Sequence, residues 1–232
     1  MGKLELSGIF KAGQSYDVIT KYKEIPVKAH LKLNWVDDEG RLLGFDWGRT
    51  HMKAAFSTLD PVYVKLSSKE YAQTQVFSNL GKELVLTVEN FVEPPEFIHR
   101  RSVRVEPDEN KPVIVELSFD GVKFNIPAKD VSETGIGLSL SRDENRDFIE
   151  FIQEKVEALK EDEYIEFPLR IHLPDNGTAT GRGRLKNVVG LGKDVYVRLG
   201  FEVDFPREEI TKIRKYVIGR QKEIIQSLRF VK

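Results

Sequence analysis

This chain consists largely of short runs in which polar and apolar residues alternate, and the runs are separated by Gly, Pro, Asp, Asn or Ser. Residues 25–36, IPVKAHLKLNWV, show the alternation and are followed by the turn sequence DDEG. A period of two places the apolar side chains on one face of a strand, which must then pack against other strands. Short strands at regular spacing are typical of small antiparallel barrels and sandwiches. We therefore predict a mainly β protein.

The first 92 residues are predicted to form a β-barrel domain of their own. A chain of 232 residues is long enough for two small domains, each with a core. After residues 25–36 the strand pattern continues in four further segments, RLLGFDW (41–47), KAAFSTL (53–59), PVYVKLS (61–67) and KELVLTVENFV (82–92).

A linker is predicted at residues 93–104, because Pro94 and Pro95 follow one residue after the last strand segment. Prolines cannot donate to a β-ladder, and they hold the chain extended.

A second barrel domain is predicted over residues 105–232, with about six strands, one additional strand and a C-terminal amphipathic helix that starts near Pro206. Another helix is predicted within 142–163 from the spacing of Phe148, Phe151, Ile152, Val156 and Leu159. The strand segments are VRVEP (103–107), PVIVELSF (112–119), VKFNIP (122–127), TGIGLSLS (134–141), YIEFPLRIHL (164–173), TATGRGRLKNVV (178–189) and DVYVRLGFEV (194–203).

Composition excludes several classes of protein. There is no cysteine, so disulfides, thiolate metal sites and cysteine nucleophiles are excluded. No apolar stretch approaches the roughly 20 residues of a spanning helix, and the N-terminus lacks the pattern of a secretory leader. The 36 basic and 37 acidic residues give a net charge of −1, whereas proteins that follow long DNA or RNA are usually basic. We expect a cytoplasmic protein that binds neither DNA nor RNA.

Against this neutral background, residues 99–104 read HRRSVR and place three arginines within six positions. Guanidinium groups bind phosphate or the O6/N7 edge of guanine with two parallel hydrogen bonds, and they also stack on purines. A local cluster on a neutral protein favours a small anionic ligand over a polymer.

A second motif, DVSETG at residues 130–135, precedes the glycine-rich strand IGLSL. Taken alone it indicates only a turn, because Asp, Ser and Gly are common in turns. Its order after the arginine cluster, at the start of a β-barrel domain that ends in a helix, is more specific.

The combination RRSVR, DVSETGIGLSL, VRLGFEVDF and IRKYVIGRQKEI resembles the PilZ domain, the bacterial receptor module for cyclic di-GMP, over about residues 97–230. The β-rich first half resembles, in architecture only, the barrel that precedes PilZ in flagellar-brake proteins. The resemblance implies a receptor that needs no cofactor or metal and changes interdomain orientation when it binds cyclic di-GMP. It also implies a protein partner such as the flagellar motor or polysaccharide or secretion machinery, with recruitment to the flagellar basal body as one placement.

The resemblance also implies roles for individual residues. Arg100 and Arg104 would each take a phosphate or a guanine edge, and Asp130 would accept hydrogen bonds from guanine N1–H and N2–H₂. Ser132 would bond the ligand or fix the turn, and Gly135 would let the base approach the backbone. Four further residues are candidates for additional ligand contacts: His99, Arg101, Gly137 and Gly200.

One departure concerns stoichiometry. Family members that hold a stacked pair of ligands often carry an additional arginine just before the first motif arginine, where this chain has His99. A neutral imidazole is a poor permanent counter-charge, although Arg101 offers a substitute. The sequence therefore leaves two stoichiometries open, one bound ligand or an intercalated pair.

Catalysis is not expected. The four histidines, His30, His51, His99 and His172, show no metal-ligand spacing, and GTATGRGR (177–184) lacks the Lys-Ser/Thr ending of a P-loop. Two alternatives to the receptor are a PilZ-like interaction module that does not bind nucleotide and a single-stranded nucleic-acid binder on a small barrel. The neutral charge and the clustered arginines argue against the second.

Overall fold

The structure is a computed structural model that describes residues 5–48, 50–57, 59–119, 121–158, 164–175, 177–192 and 194–230. The chain divides into two compact units. The first comprises the residues up to Arg101 together with those from Glu223 onward, and the second runs from Ser102 to Lys222. The domain boundaries 1–92, 93–104 and 105–232 remain a prediction.

Six strands of the first unit form a closed antiparallel barrel in the described part of the chain, in the order β1-β2-β3-β6-β5-β4. The register pairs β1 with both β2 and β4, which closes the sheet. The elements are α1 (Leu6–Ile9), β1 (Ser15–Tyr22), β2 (Ile25–Asp37), β3 (Leu42–Asp46), β4 (Val62–Lys65), β5 (Tyr71–Ser78) and β6 (Glu83–Val92).

The core of this barrel follows from strict alternation in β2, where every second side chain from Ile25 to Leu33 is buried. Trp47 and Phe56 add aromatic bulk to the same core. Lys23 and Glu24 form the two-residue turn between β1 and β2 with φ values of 48° and 68°. Positive φ at both turn positions matches the right-handed twist of a hairpin. This turn fixes where the Glu24 carboxylate lies.

The second unit contains a six-stranded antiparallel barrel among its described residues, in the order β10-β13-β12-β11-β8-β9 and closed by pairing of β9 with β10. The short strand β7 pairs with β9 outside this ring. The strands are β7 (Arg104–Val105), β8 (Ile114–Phe119), β9 (Val122–Ser132), β10 (Gly135–Ser141), β11 (Glu166–Leu173), β12 (Gly177–Val189) and β13 (Tyr196–Asp204).

Two helices complete the secondary structure: α2 (Arg146–Glu157) and α3 (Arg207–Phe230). Phe148 and Ile152 of α2 are buried, and so are Ile213 and Val217 of α3. The unit boundary falls within α3, and Leu228 belongs to the core of the first unit. Both helices therefore pack through the apolar stripes that their sequences predict.

Arg220 of α3 is a buried arginine with two partners inside the second unit. Its Nε donates to the carbonyl of Glu106 at 2.9 Å, and its Nη1 contacts Asp108 Oδ2 at 3.2 Å. These bonds join the helix to the segment directly after β7. Removing a partner from a buried charge is costly, so this contact is expected to stabilise the docked helix.

The predicted fold class is confirmed: the protein is mainly β, with two six-stranded antiparallel barrels and a C-terminal helix. All seven strand segments predicted after residue 102 contain strands, and β7 is the additional one. The strand predicted at 53–59 is wrong, because Lys53–Ala55 form a 3₁₀ turn. Strands β1 and β5 were not predicted. Within the segment 142–163, the helix spans only Arg146–Glu157, and Leu159 lies outside the described residues.

Candidate functional site

The β9–β10 hairpin brings together the residues of the DVSETG motif. Asp130 and Ser132 end β9, Gly135 begins β10, and two residues turn between them. The Ser132 hydroxyl, 1% exposed, donates to the carbonyl of Gly135 at 3.1 Å. A Cβ at Gly135 would lie 2.8 Å from the carbonyl oxygen of Phe201, which is too close for any real side chain. In this structure Ser132 and Gly135 therefore fix the turn.

Arg104 lies beside Asp130 on this surface. Strand β7 pairs with β9 so that Arg104 is opposite Ser132. The distance from Arg104 Nη1 to Asp130 Oδ1 is 3.5 Å, and the two side chains are 36% and 13% exposed. At that distance the contact is a loose ion pair rather than a close hydrogen bond. The site thus presents a half-exposed guanidinium and a largely covered carboxylate side by side.

A row of residues without large side chains extends from this pair across the barrel. Gly137 of β10 is opposite Asp130 on one side and Gly200 of β13 on the other, and Gly200 is opposite Asn187 of β12. We call these four residues the glycine row. A Cβ at Gly137 would overlap the Asp130 carboxylate. Glycine at this position therefore lets the carboxylate lie over the backbone of the neighbouring strand.

Arg100, the first arginine of the predicted motif, has its partner in the first unit. Its Nη1 donates to Glu24 Oε2 at 2.9 Å, and Glu24 also pairs with Lys21. The Arg100 Nε is buried and has no hydrogen-bond acceptor among the described residues. Burial raises the pKa of Glu24, but the hydrogen bonds and charges of Lys21 and Arg100 outweigh it and leave the pKa below its ordinary value.

The predicted site residues therefore fall into two groups. Arg104, Asp130, Ser132 and Gly135 come together in the second unit, as do the additional candidates Gly137 and Gly200. Arg100 belongs to the first unit, as do His99 and Arg101, which are exposed.

Sequence reasoning missed two residues of these surroundings. Asn187 joins the glycine row only through the strand register, which shifts at a bulge between Leu185 and Asn187. Glu24 pairs with Arg100 from 76 positions away. Neither relation has a local sequence signal.

In the described part of the chain, no group of three or more histidine and acidic side chains is arranged to hold a metal ion. No helix among those residues is long and apolar enough to cross a membrane.

Comparison with known proteins gives one sequence relative and several structural likenesses. No family model matches the chain. A protein of Aquifex aeolicus (strain VF5), described as uncharacterized, is 42% identical over 229 residues, which are 98% of this chain and 96% of that protein. The chain belongs to the same family as this Aquifex protein. Sequence identity at this level over nearly the full length of both implies the same fold in each.

Solved structures that resemble this member of the Aquifex family include a complex of K. pneumonia MrkH with c-di-GMP. It is 13% identical, with 91% of this chain and 90% of the other covered and a TM-score of 0.47. Another is the PilZ domain, with c-di-GMP, of YcgR from Escherichia coli. It is 15% identical, with 57% of this chain and 98% of the other covered and a TM-score of 0.40. PilZ is the family that the sequence motifs resemble.

Proposed function

We propose that this protein is a cyclic di-GMP receptor that binds the dinucleotide on the outer face of the second barrel. The observation that carries the proposal is the placement of Arg104 beside Asp130, with a glycine directly opposite the carboxylate. These residues belong to two separate sequence motifs, and the strand register brings them to one surface.

The chemistry of this surface suits a guanine nucleotide. The Arg104 guanidinium can bind a phosphate or the O6/N7 edge of a guanine. The Asp130 carboxylate accepts hydrogen bonds only, which suits guanine N1–H and N2–H₂. Because Gly200 carries no side chain, a flat base can approach β13 closely there, beside the Asp130 carboxylate that lies over Gly137. Arg104 and Asp130 thus suit the two hydrogen-bonding edges of guanine.

Arg100 is proposed to join the ligand by exchanging Glu24 for a phosphate. Its unpaired Nε provides a donor that Glu24 does not use. The Arg100 and Glu24 side chains are only 21% and 11% exposed, so the exchange requires that neither charge loses all its partners. Glu24 keeps its ion pair with Lys21, and the phosphate replaces the carboxylate as the partner of Arg100. Ligand at 100 times its Kd supplies about 2.7 kcal/mol toward the exchange.

This exchange is the proposed link between binding and output. Glu24 and Arg100 both belong to the first unit, and we propose that the loss of their contact on ligand binding changes the orientation of the two units. The altered surface would then meet a protein partner that controls motility or exopolysaccharide-type output. The proposed place of action is the cytoplasm, with the flagellar basal body as one site of recruitment.

The alternative is an interaction module that does not bind nucleotide. One observation favours it: Arg100 already has an acceptor in Glu24 at 2.9 Å, and Lys21 and Arg100 together lower the pKa of that carboxyl. In that case the arginine serves the structure of the first unit rather than a ligand.

Calorimetric titration with cyclic di-GMP tests the proposal, with GTP and a short RNA as control ligands. We expect saturable binding to the wild-type protein and its loss in Arg104→Ala. Arg182→Ala is the matched control, because Arg182 is an exposed arginine of the same barrel that lies opposite Asp204, away from the glycine row. A folded wild-type protein that gives no heat with cyclic di-GMP would leave the interaction module as the better account.

Small-angle scattering with and without ligand tests the change in orientation separately. We expect the scattering profile to change at saturating cyclic di-GMP. Identical profiles, with binding intact, would remove the reorientation while leaving the receptor in place.

A further inference from the structure

The glycine row extends well beyond Arg104 and Asp130. From Asp130 to Asn187 it crosses three gaps between neighbouring strands, which at about 4.8 Å per gap amounts to roughly 14 Å. The Arg104–Asp130 pair occupies only one end of this length. A cyclic dinucleotide has two guanines and two phosphates, so a second set of groups is needed for its other half.

Arg198 lies beside the far half of the row. On β13 the buried residues Val197, Leu199 and Phe201 alternate with outward-facing ones, which include Arg198 and Gly200. Side chains two positions apart on a strand lie on the same face, separated by about 6.6 Å along the strand. Arg198 therefore stands on the same outer face as Gly200, one step along β13.

The side chain of Arg198 is exposed and has no ion pair or hydrogen bond among the residues that the structure describes. Two other cations near this end of the row have partners. Arg142 donates to three backbone carbonyls of the β12–β13 loop, and Lys186, next to Asn187 on β12, pairs with Glu202. Within the described part of the chain, Arg198 therefore offers a charge near this end of the row that no ion pair already uses.

Ser139 of β10 lies opposite Arg198 in the strand register, two positions from Gly137, and its small side chain leaves room beside Arg198. A small hydroxyl side chain at that place adds a donor and an acceptor without covering the row. Asn187, exposed at the end of the row, adds a side-chain amide with both donors and an acceptor.

We propose that Arg198 binds the phosphate in the half of the dinucleotide that lies farther from Arg104, and that Asn187 hydrogen-bonds the guanine of that half. This inference rests on the proposed function and assigns two contacts that neither sequence motif contains. It predicts that the two ends of the glycine row act on one ligand molecule, so each end contributes to the same binding constant.

Variants at Arg198 test the inference by calorimetric titration with cyclic di-GMP. Arg198→Ala is expected to bind about 10-fold more weakly or worse, as is typical when a charge-assisted contact is lost. Arg198→Lys is expected to recover part of the affinity, because an ammonium still binds a phosphate as a point charge. Arg182→Ala, which removes an exposed arginine from β12 outside the row, is expected to bind like the wild type.

The outcomes separate this inference from the receptor itself. If Arg104→Ala abolishes binding while Arg198→Ala and Arg182→Ala both match the wild type, the assignment of Arg198 is wrong and the receptor stands. If the wild-type protein does not bind cyclic di-GMP, both fall together. Thermal unfolding checks that each variant folds. If Arg198→Ala unfolds, Arg198→Lys and Asn187→Ala decide instead, and wild-type affinity in both overturns the inference.

Discussion

Gly137→Ala is a sharp test of the proposed site, because the new methyl group has one defined neighbour. A Cβ at Gly137 overlaps Oδ2 of Asp130 and comes within 2.8 Å of its Cγ and 3.1 Å of its Oδ1. The φ of Gly137 is not in the left-handed region, so alanine fits the backbone itself. The carboxylate must therefore move, and the contact with Arg104 moves with it.

The expected effect on ligand binding is larger than the effect on folding. A two-hydrogen-bond contact to a base edge is worth about 1–3 kcal/mol, so displacing the Asp130 carboxylate should weaken cyclic di-GMP binding about 5- to 150-fold. The displaced ion pair is loose and partly exposed, so its loss should cost the free energy of unfolding at most about 1 kcal/mol. Titration calorimetry and thermal unfolding measure the two quantities on the same sample.

A double-mutant cycle shows whether the loss acts through the carboxylate. In an Asp130→Ala background the methyl at Gly137 has nothing to displace, so Gly137→Ala should cause no further loss of affinity. A folded Gly137→Ala protein with wild-type affinity would refute the role given to Asp130. An equal loss in both backgrounds would instead mean that the methyl blocks the ligand directly.

Four further predictions concern three contacts, those of Glu24, Ser132 and Arg220. Glu24→Gln keeps an acceptor for Arg100 but removes its charge, which should weaken the contact by about 1 kcal/mol and tighten cyclic di-GMP binding about 2- to 5-fold. Weaker binding would contradict the proposed exchange. The pKa of Glu24 is lowered in the folded protein, so its stabilisation is present above the ordinary value of 4.5 and is lost as the pH falls through the lowered value. Thermal melts of wild type and Glu24→Gln should therefore differ at neutral pH and converge in acid. Ser132→Ala removes the buried bond to Gly135 and should lower the free energy of unfolding by about 1–3 kcal/mol in denaturant titrations, and an unchanged midpoint would contradict that role. Arg220→Met should destabilise the second unit by a similar amount of about 1–3 kcal/mol, because two acceptors lose their donor; hydrogen exchange in α3 that stays as slow as in the wild type would count against it.

Apolar alternation predicts strands well, as in PVIVELSF (112–119) and YIEFPLRIHL (164–173), which contain β8 and β11. It misses β5 because the inward position Thr74 is polar, and the buried hydroxyl is satisfied by a bond to the carbonyl of Val62. The same holds for β1, where inward-facing Thr20 bonds to the carbonyl of Pro61. In both strands a tertiary hydrogen bond permits a polar residue in the core, and no local pattern records it.

The sequence predicts the candidate site only where its residues lie within one motif. The turn that holds Asp130, Ser132 and Gly135 could be predicted because it is local. The placement of Arg104 beside Asp130 follows from the pairing of β7 with β9 and came only through the family resemblance. The strained turn that carries Glu24, and its pairing with Arg100, depend on the fold of the first barrel.

The boundary between the two compact units falls between Arg101 and Ser102, inside the four-residue spacing that separates Arg100 from Arg104. A single cut of the chain at this boundary would leave Arg100 on the N-terminal fragment and Arg104 on the C-terminal fragment. The C-terminal fragment would also carry the residues from Glu223 onward, which belong to the first unit, so one cut does not yield the two units intact. An assay that needs both arginines must therefore use the whole chain.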